Sequence, residues 1–266
     1  MAVDTVDHAI LGEDLQALVI TLDPGEAVVA EAGVMMYMQD GIEMGTQLSM
    51  SSQNKGIFGK LFEAGKRAVT GESFFITTFA NTAAQRRDVA FAAPYPGHIV
   101  PVELGEHGGS LTCQKDSFLC CARGVEVNIA FTKRMGAGLF GGEGFILQKL
   151  SSPSGRGQAF LHAGGTVVPM KLAPGQVLRV DTGCLVAFEP TVDYDIQIVP
   201  GIKNKLFGGE GLFYVRMTGP GTVWLQTLPF SRLADRIIAA SPAAGGRGRE
   251  EGSVLGGLGR LLDGDS

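Results

Sequence analysis

Leu139-Phe140-Gly141-Gly142-Glu143-Gly144 returns about 67 residues further on as Leu206-Phe207-Gly208-Gly209-Glu210-Gly211. Two flanking matches keep the same order and nearly the same spacing. Upstream, Val100-Pro101-Val102-Glu103-Leu104 answers to Val168-Pro169-Met170-Lys171-Leu172. Downstream, Gly157-Gln158-Ala159-Phe160-Leu161-His162 answers to Gly221-Thr222-Val223-Trp224-Leu225-Gln226. A more diverged copy lies nearer the start. Leu22-Asp23-Pro24-Gly25-Glu26 matches Leu172-Ala173-Pro174-Gly175-Gln176, and Glu31-Ala32-Gly33-Val34-Met35 matches Asp181-Thr182-Gly183-Cys184-Leu185. Gly71-Glu72-Ser73-Phe74-Phe75 stands where the second copy has Gly142-Glu143-Gly144-Phe145-Ile146. The repeats therefore run over 15–95, 96–163 and 164–230, the first lengthened by an insertion before Gly71.

Within each repeat, short apolar or alternating runs lie between turn signals. Val192-Asp193-Tyr194-Asp195-Ile196-Gln197-Ile198 and Val125-Glu126-Val127-Asn128-Ile129 alternate with a period of two, the pattern of a half-buried strand. Pro-Gly pairs at Pro24, Pro96, Pro174 and Pro220 supply turns. An all-β fold follows: three pseudo-repeats of a short β-sandwich unit, packed about a pseudo-threefold axis into one body over 1–240. Ser231 reads as the cap of a short closing helix over 231–240, and 241–266 reads as a flexible tail.

The chain has 266 residues, of which 45% are hydrophobic and 18% charged, so it can bury a sizeable core. A formal net charge of −5 disfavours general nucleic-acid binding. No apolar run is long enough to span a membrane, and Asp4 and Asp7 stand where a signal peptide carries bases, so a cytoplasmic location is expected. Cys113, Cys120, Cys121 and Cys184 form no C-x-x-C pair and read as reduced thiols, mostly buried.

Leu22-Asp23-Pro24-Gly25-Glu26, Gly71-Glu72-Ser73-Phe74-Phe75, Ala93-Pro94-Tyr95-Pro96-Gly97, both Leu-Phe-Gly-Gly-Glu-Gly loops, Val180-Asp181-Thr182-Gly183 and Trp224-Leu225-Gln226 through Pro229-Phe230-Ser231-Arg232-Leu233 cover nearly all of 15–237. In this combination the chain resembles the altered-inheritance-of-mitochondria, or mitochondrial biogenesis, family. The resemblance implies a fold like that of the tryptophan RNA-binding attenuation protein, a short relative of the double-stranded β-helix. It implies no established activity, and no catalytic or ligand residues carry over. The mitochondrial members look like factors for inner-membrane organisation.

Chemistry is sparse in the sequence. Gly136-Ala137-Gly138-Leu139-Phe140-Gly141 matches G-x-G-x-x-G by letter but leads into a strand, not into the helix that would hold a pyrophosphate. His8, His98, His107 and His162 are scattered, without the H-x-H spacing that a cupin-type metal centre would use. No catalytic residue, cofactor or metal is assigned. Glu72, Glu143 and Glu210 recur once per repeat, and threefold symmetry would gather them into an acidic ring; the alternative is a local acceptor in each turn. Wound as a helix, 55–70 gathers Ile57, Phe58, Leu61 and Phe62 on one side and leaves Lys60, Lys66 and Arg67 off it. Such a face either packs on the core or meets an anionic membrane surface or a protein partner. The expectation is a non-enzymatic scaffold or binding protein, peripheral to a membrane if that helix is exposed, and open to homo-oligomer formation. A cupin-type small-molecule or metal-dependent enzyme is the alternative, and RNA binding by fold analogy is a third reading.

Overall fold

Alternation decides the first long strand. In β2 (Ala17–Leu22), Leu18, Ile20 and Leu22 are buried, while Ala17, Val19 and Thr21 between them are only half-buried. The computed structural model describes residues 3–31, 33–48, 75–133, 145–198 and 213–240. The chain divides into two units, Met1–Phe230 and Ser231–Ser266.

Among the described residues nineteen strands build the first unit, all paired antiparallel within their sheets. Ahead of β2 lies β1 (Asp7–Leu11). The first repeat continues with β3 (Ala27–Glu31), β4 (Met35–Met38), β5 (Ile42–Leu48), β6 (Phe75–Asn81) and β7 (Arg87–Ala92). The second repeat holds β8 (Gly97–Glu103), β9 (Ser110–Gln114), β10 (Phe118–Ala122), β11 (Glu126–Lys133), β12 (Phe145–Ser151) and β13 (Gln158–Gly164). The third holds β14 (Val167–Leu172), β15 (Val177–Asp181), β16 (Leu185–Phe188), β17 (Asp193–Ile198), β18 (Phe213–Thr218) and β19 (Gly221–Gln226).

Every repeat makes two three-stranded half-sheets, and half-sheets of consecutive repeats join edge to edge. The order β5-β6-β3 of the first repeat continues into β10-β13-β8 of the second; β11-β12-β9 of the second continues into β16-β19-β14 of the third. At the first junction Cys120 stands opposite Ala30 and Cys121 opposite Val29. At the second, Ala187 stands opposite Cys113 and Phe188 opposite Thr112. The remaining halves end in separate sheets, β1-β2-β7-β4 and β15-β18-β17. A closed threefold arrangement would need a third junction, β15 against β4; among the described residues that pairing is not made.

Local details recur with the pairing. Register steps by one residue within β4 (Met35/Tyr37), within β10 (Phe118/Cys120) and within β16 (Leu185/Ala187). Phe160 lies opposite Cys120 as Trp224 lies opposite Ala187. Gly25 and Gly175 both take positive φ, which the turn demands and glycine accepts without strain. Glu26 Oε2 accepts from the Asp23 amide, and Gln176 Oε1 accepts from the Ala173 amide in the same way.

Among the described residues apolar side chains form three clusters that cross the repeat boundaries. Leu18, Ile20, Phe79 and Phe91 of the first repeat pack with Leu119, Cys120 and Phe160 of the second. Ala187 and Val186 of the third repeat share a cluster with Leu111 and Cys121 of the second. No disulfide joins the four cysteines, and burial pushes the Cys121 thiol up to about 12, so that it remains protonated. The helix expected over 231–240 is present as Phe230–Ala240; it starts directly after Pro229, so Ser231 lies inside it and does not cap it. No helix among the described residues is long and apolar enough to cross a membrane.

Candidate functional site

Beside the first junction lies an open pocket of about 160 Å³ lined by Glu31, Val34, Ala93, Pro94, Tyr95, Asp116, Phe118, Leu119, His162 and Phe230. Two titratable rings meet in its wall. Tyr95, carried by the connection between β7 and β8, meets the imidazole of His162 on β13 edge to face, with centroids 4.5 Å apart at 90°. The Tyr95 hydroxyl donates to the Asp116 carbonyl over a long 3.4 Å. Burial, reinforced by the charges of Asp116 and Glu31, raises Tyr95 above the tyrosine range. His162 is 2% exposed, and burial, with His98 adding to it, lowers its pKa to about 4. Its Nδ1 is buried without a hydrogen-bond partner. Both rings are thus neutral at pH 7. An imidazole held so far below the working pH is a weak general base.

His98 does not join His162. The register sets His98 opposite Ala163 and His162 opposite Ile99, so the two side chains leave opposite faces of the sheet. The His98 ring is bound through Nδ1 to the Gly165 carbonyl at 2.6 Å. His8 meets Phe160 edge-on at 4.8 Å. His107 is paired with Glu189 across the second junction, 2.9 Å away, and lies edge to face with Trp224. Glu189 Oε2 also accepts from the Thr222 amide at 2.8 Å. Burial alone would raise this carboxyl, but the hydrogen bonds from His107 and Thr222, with the His107 charge, outweigh it and hold Glu189 below its usual range. The four imidazoles occupy four separate places. Among the described residues no group of three or more His, Cys, Asp and Glu side chains is arranged to hold a metal ion.

Other polar side chains tie together backbone segments distant in the chain. Gln226 Oε1 accepts from the Gly164 amide, and its Nε2 donates to the Gly183 carbonyl, at 2.7 and 2.8 Å. Gln158 Oε1 accepts from the Val6 amide. Asp4 Oδ2 accepts from the Ala27 amide and pairs with Arg123, whose guanidinium also reaches the Gly25 carbonyl.

Glu72, Glu143 and Glu210 belong to the connections β5–β6, β11–β12 and β17–β18, the same place in each repeat, and lie outside the described residues. So do Ile57, Phe58, Lys60, Leu61, Phe62, Lys66 and Arg67. The Tyr95–His162 pair escaped the sequence because its members are far apart, and only the tertiary pairing of β8 with β13 brings them together. The exposed face of β4 also escaped it. Met35-Met36-Tyr37-Met38 is a continuous apolar run of the kind read as a buried strand, yet all four residues are exposed.

An uncharacterized protein of Streptococcus pyogenes serotype M6 is 29% identical to this chain over 226 residues, 85% of this chain and 86% of the relative. The crystal structure of a Streptococcus pyogenes protein is similar in fold, with a TM-score of 0.66 at 22% identity, covering 89% of this chain and 100% of that one. The model of the family described as Mitochondrial biogenesis AIM24 matches residues 8–228, and it is to this family that the chain belongs.

Proposed function

We propose that the protein is a non-catalytic scaffold that binds a protein partner along strand β4. The observation that carries this reading is a contrast within one chain. Its counterparts β10 and β16 are buried along their whole length, whereas β4, as apolar as they are, is exposed at all four residues. An apolar strand at a sheet edge, without Lys, Glu or Pro to blunt it, is a surface for strand pairing. The site chemistry points the same way. The pocket rings are neutral, both Glu189 carboxylate oxygens are engaged, and buried Gln226 bridges two backbone groups. Membership of the mitochondrial biogenesis family agrees with a role in organising other components.

Native mass spectrometry of protein isolated gently from cells tests the reading. A bound protein mass is expected on the wild type and lost from a Met36→Lys, Met38→Lys double variant that still folds. Equal retention by both would remove β4 as the binding face.

A further inference from the structure

We propose that the occupant of β4 is strand β15 of a second copy of this chain, so that copies join head to tail by repeating the junction the chain already makes twice inside itself. The proposal rests on the scaffold reading and gives its binding strand a partner.

The two ends of the chain are the two halves of one more junction. Within the chain, strand β3 of the first repeat pairs with β10 of the second, and β9 of the second with β16 of the third. β15 is the counterpart of β3 and β9, and β4 that of β10 and β16. Among the described residues each stands at the edge of its sheet, paired with a strand on one side only. Joining them between copies would continue β17-β18-β15 of one chain into β4-β7-β2-β1 of the next, the order both internal sheets already follow.

Exposure follows the missing pairing. Met35, Met36, Tyr37 and Met38 are 38, 55, 41 and 38% exposed. Phe118, Leu119, Cys120 and Cys121, at the same positions of the second repeat, are 2, 1, 0 and 0% exposed. On the other edge Val177 and Arg179 are exposed, whereas Ala27 of β3 is buried and Val29 is half-buried. An uncovered edge of this composition is a template for another chain. The contact uses different surfaces on the two copies. It is therefore heterologous, and gives a ring if the rotation closes or a filament if it does not.

The internal junctions also set the register. Ala30 and Cys113 stand opposite Cys120 and Ala187, and Val29 and Thr112 stand opposite Cys121 and Phe188. Carried to the open edges, this places Tyr37 opposite Val180 and Met38 opposite Arg179 of the next copy. Adjacent antiparallel positions alternate between close and wide pairs, so one of the two suits a disulfide.

The test uses purified full-length chain in a Cys184→Ser background. Sedimentation velocity over a wide concentration range should show assemblies in whole multiples of the chain, and Met36→Lys with Met38→Lys, or Val177→Lys alone, should return them to monomer. A chain carrying Met38→Cys mixed with one carrying Arg179→Cys, or Tyr37→Cys mixed with Val180→Cys, should give a crosslinked dimer on mild oxidation in one of the two mixtures. Met38→Cys mixed with Val180→Cys, one register out, should give less. A chain that stays monomeric and forms neither crosslink overturns self-pairing, and so does a doubly substituted chain that crosslinks only within itself. If self-pairing fails while protein isolated from cells still holds a partner through β4, the scaffold reading stands with a different occupant; if β4 matters in neither experiment, both fall.

Discussion

His107 Nδ1 lies 2.9 Å from Glu189 Oε1, a contact that ties the short 3₁₀ turn Leu104–His107 of the second repeat to the loop following β16 in the third. The other carboxylate oxygen takes the Thr222 amide. Glu189→Ala removes both acceptors and should lower unfolding free energy by about 1–3 kcal/mol in urea titration. Because the folded carboxyl is held below its usual range, this contribution is present above the ordinary carboxylate pKa and is lost as pH falls through the lowered value. A variant as stable as wild type at pH 7 would show that the contact contributes nothing.

His162 titrates in the same sense but in a higher window. Its folded pKa of about 4 lies below the ordinary 6.5, so the unfolded chain takes up a proton that the folded chain refuses. Stability from this group is complete above pH 6.5 and falls as pH drops towards 4, by up to about 3 kcal/mol. Urea midpoints measured across that range should slope less steeply for His162→Gln than for wild type. Parallel slopes would mean that the ring is solvated.

Gln226 bridges two backbone groups, at the end of β13 and in the turn before β16, with its residue 5% exposed. Gln226→Ala leaves the Gly164 amide and the Gly183 carbonyl without that partner, and a loss of about 2–4 kcal/mol is expected. Gln226→Glu keeps the acceptor but not the donor, and should also destabilise. Thermal melts of the three proteins rank them.

Two glycines in strands should respond oppositely to a methyl group. A Cβ on Gly97 would lie 2.1 Å from the Ala163 carbonyl oxygen and 2.6 Å from His162 Nε2, whereas one on Gly45 meets nothing within 4 Å. Gly97→Ala should cost about 1–3 kcal/mol through overpacking between β8 and β13. Gly45→Ala should be neutral, or stabilising by up to about 1 kcal/mol through reduced freedom of the unfolded chain. Equal melting temperatures for the two variants would contradict this packing.

Burial at position 160 differs from that at its counterpart. Phe160 is 1% exposed in the first cluster, while Trp224 is only partly buried beside the second. Phe160→Ala should therefore cost about 3–5 kcal/mol. Trp224→Ala should cost less in denaturant titration, despite removing the larger side chain.

Much of the architecture was legible because its signals are local. The Leu22–Glu26 and Leu172–Gln176 matches mark turns whose amide-to-side-chain bonds are the same, and the alternation of 192–198 marks β17. The candidate site was hardly legible. Tyr95 meets His162, and His107 meets Glu189, through sheet pairings between distant segments, and no spacing in the chain encodes such a meeting. Even so, His162 occupies the position that Gln226 holds in the next repeat, and an imidazole at the place of a buried bridging amide is a signal that alignment of the repeats contained.

By itself the sequence determined the all-β class of fold, the turns between strands and the apolar character of β4, because each depends on neighbours along the chain. Only the tertiary structure decided which edges meet. Every repeat offers equivalent strand edges, and backbone hydrogen bonding does not distinguish one from another. What distinguishes them is position: β3 and β9 of the neighbouring repeat cover β10 and β16, whereas among the described residues no strand lies against the outer edge of β4. The same apolar composition is therefore core in two repeats and surface in the third, since burial is a property of the neighbours a residue acquires and not of the residue.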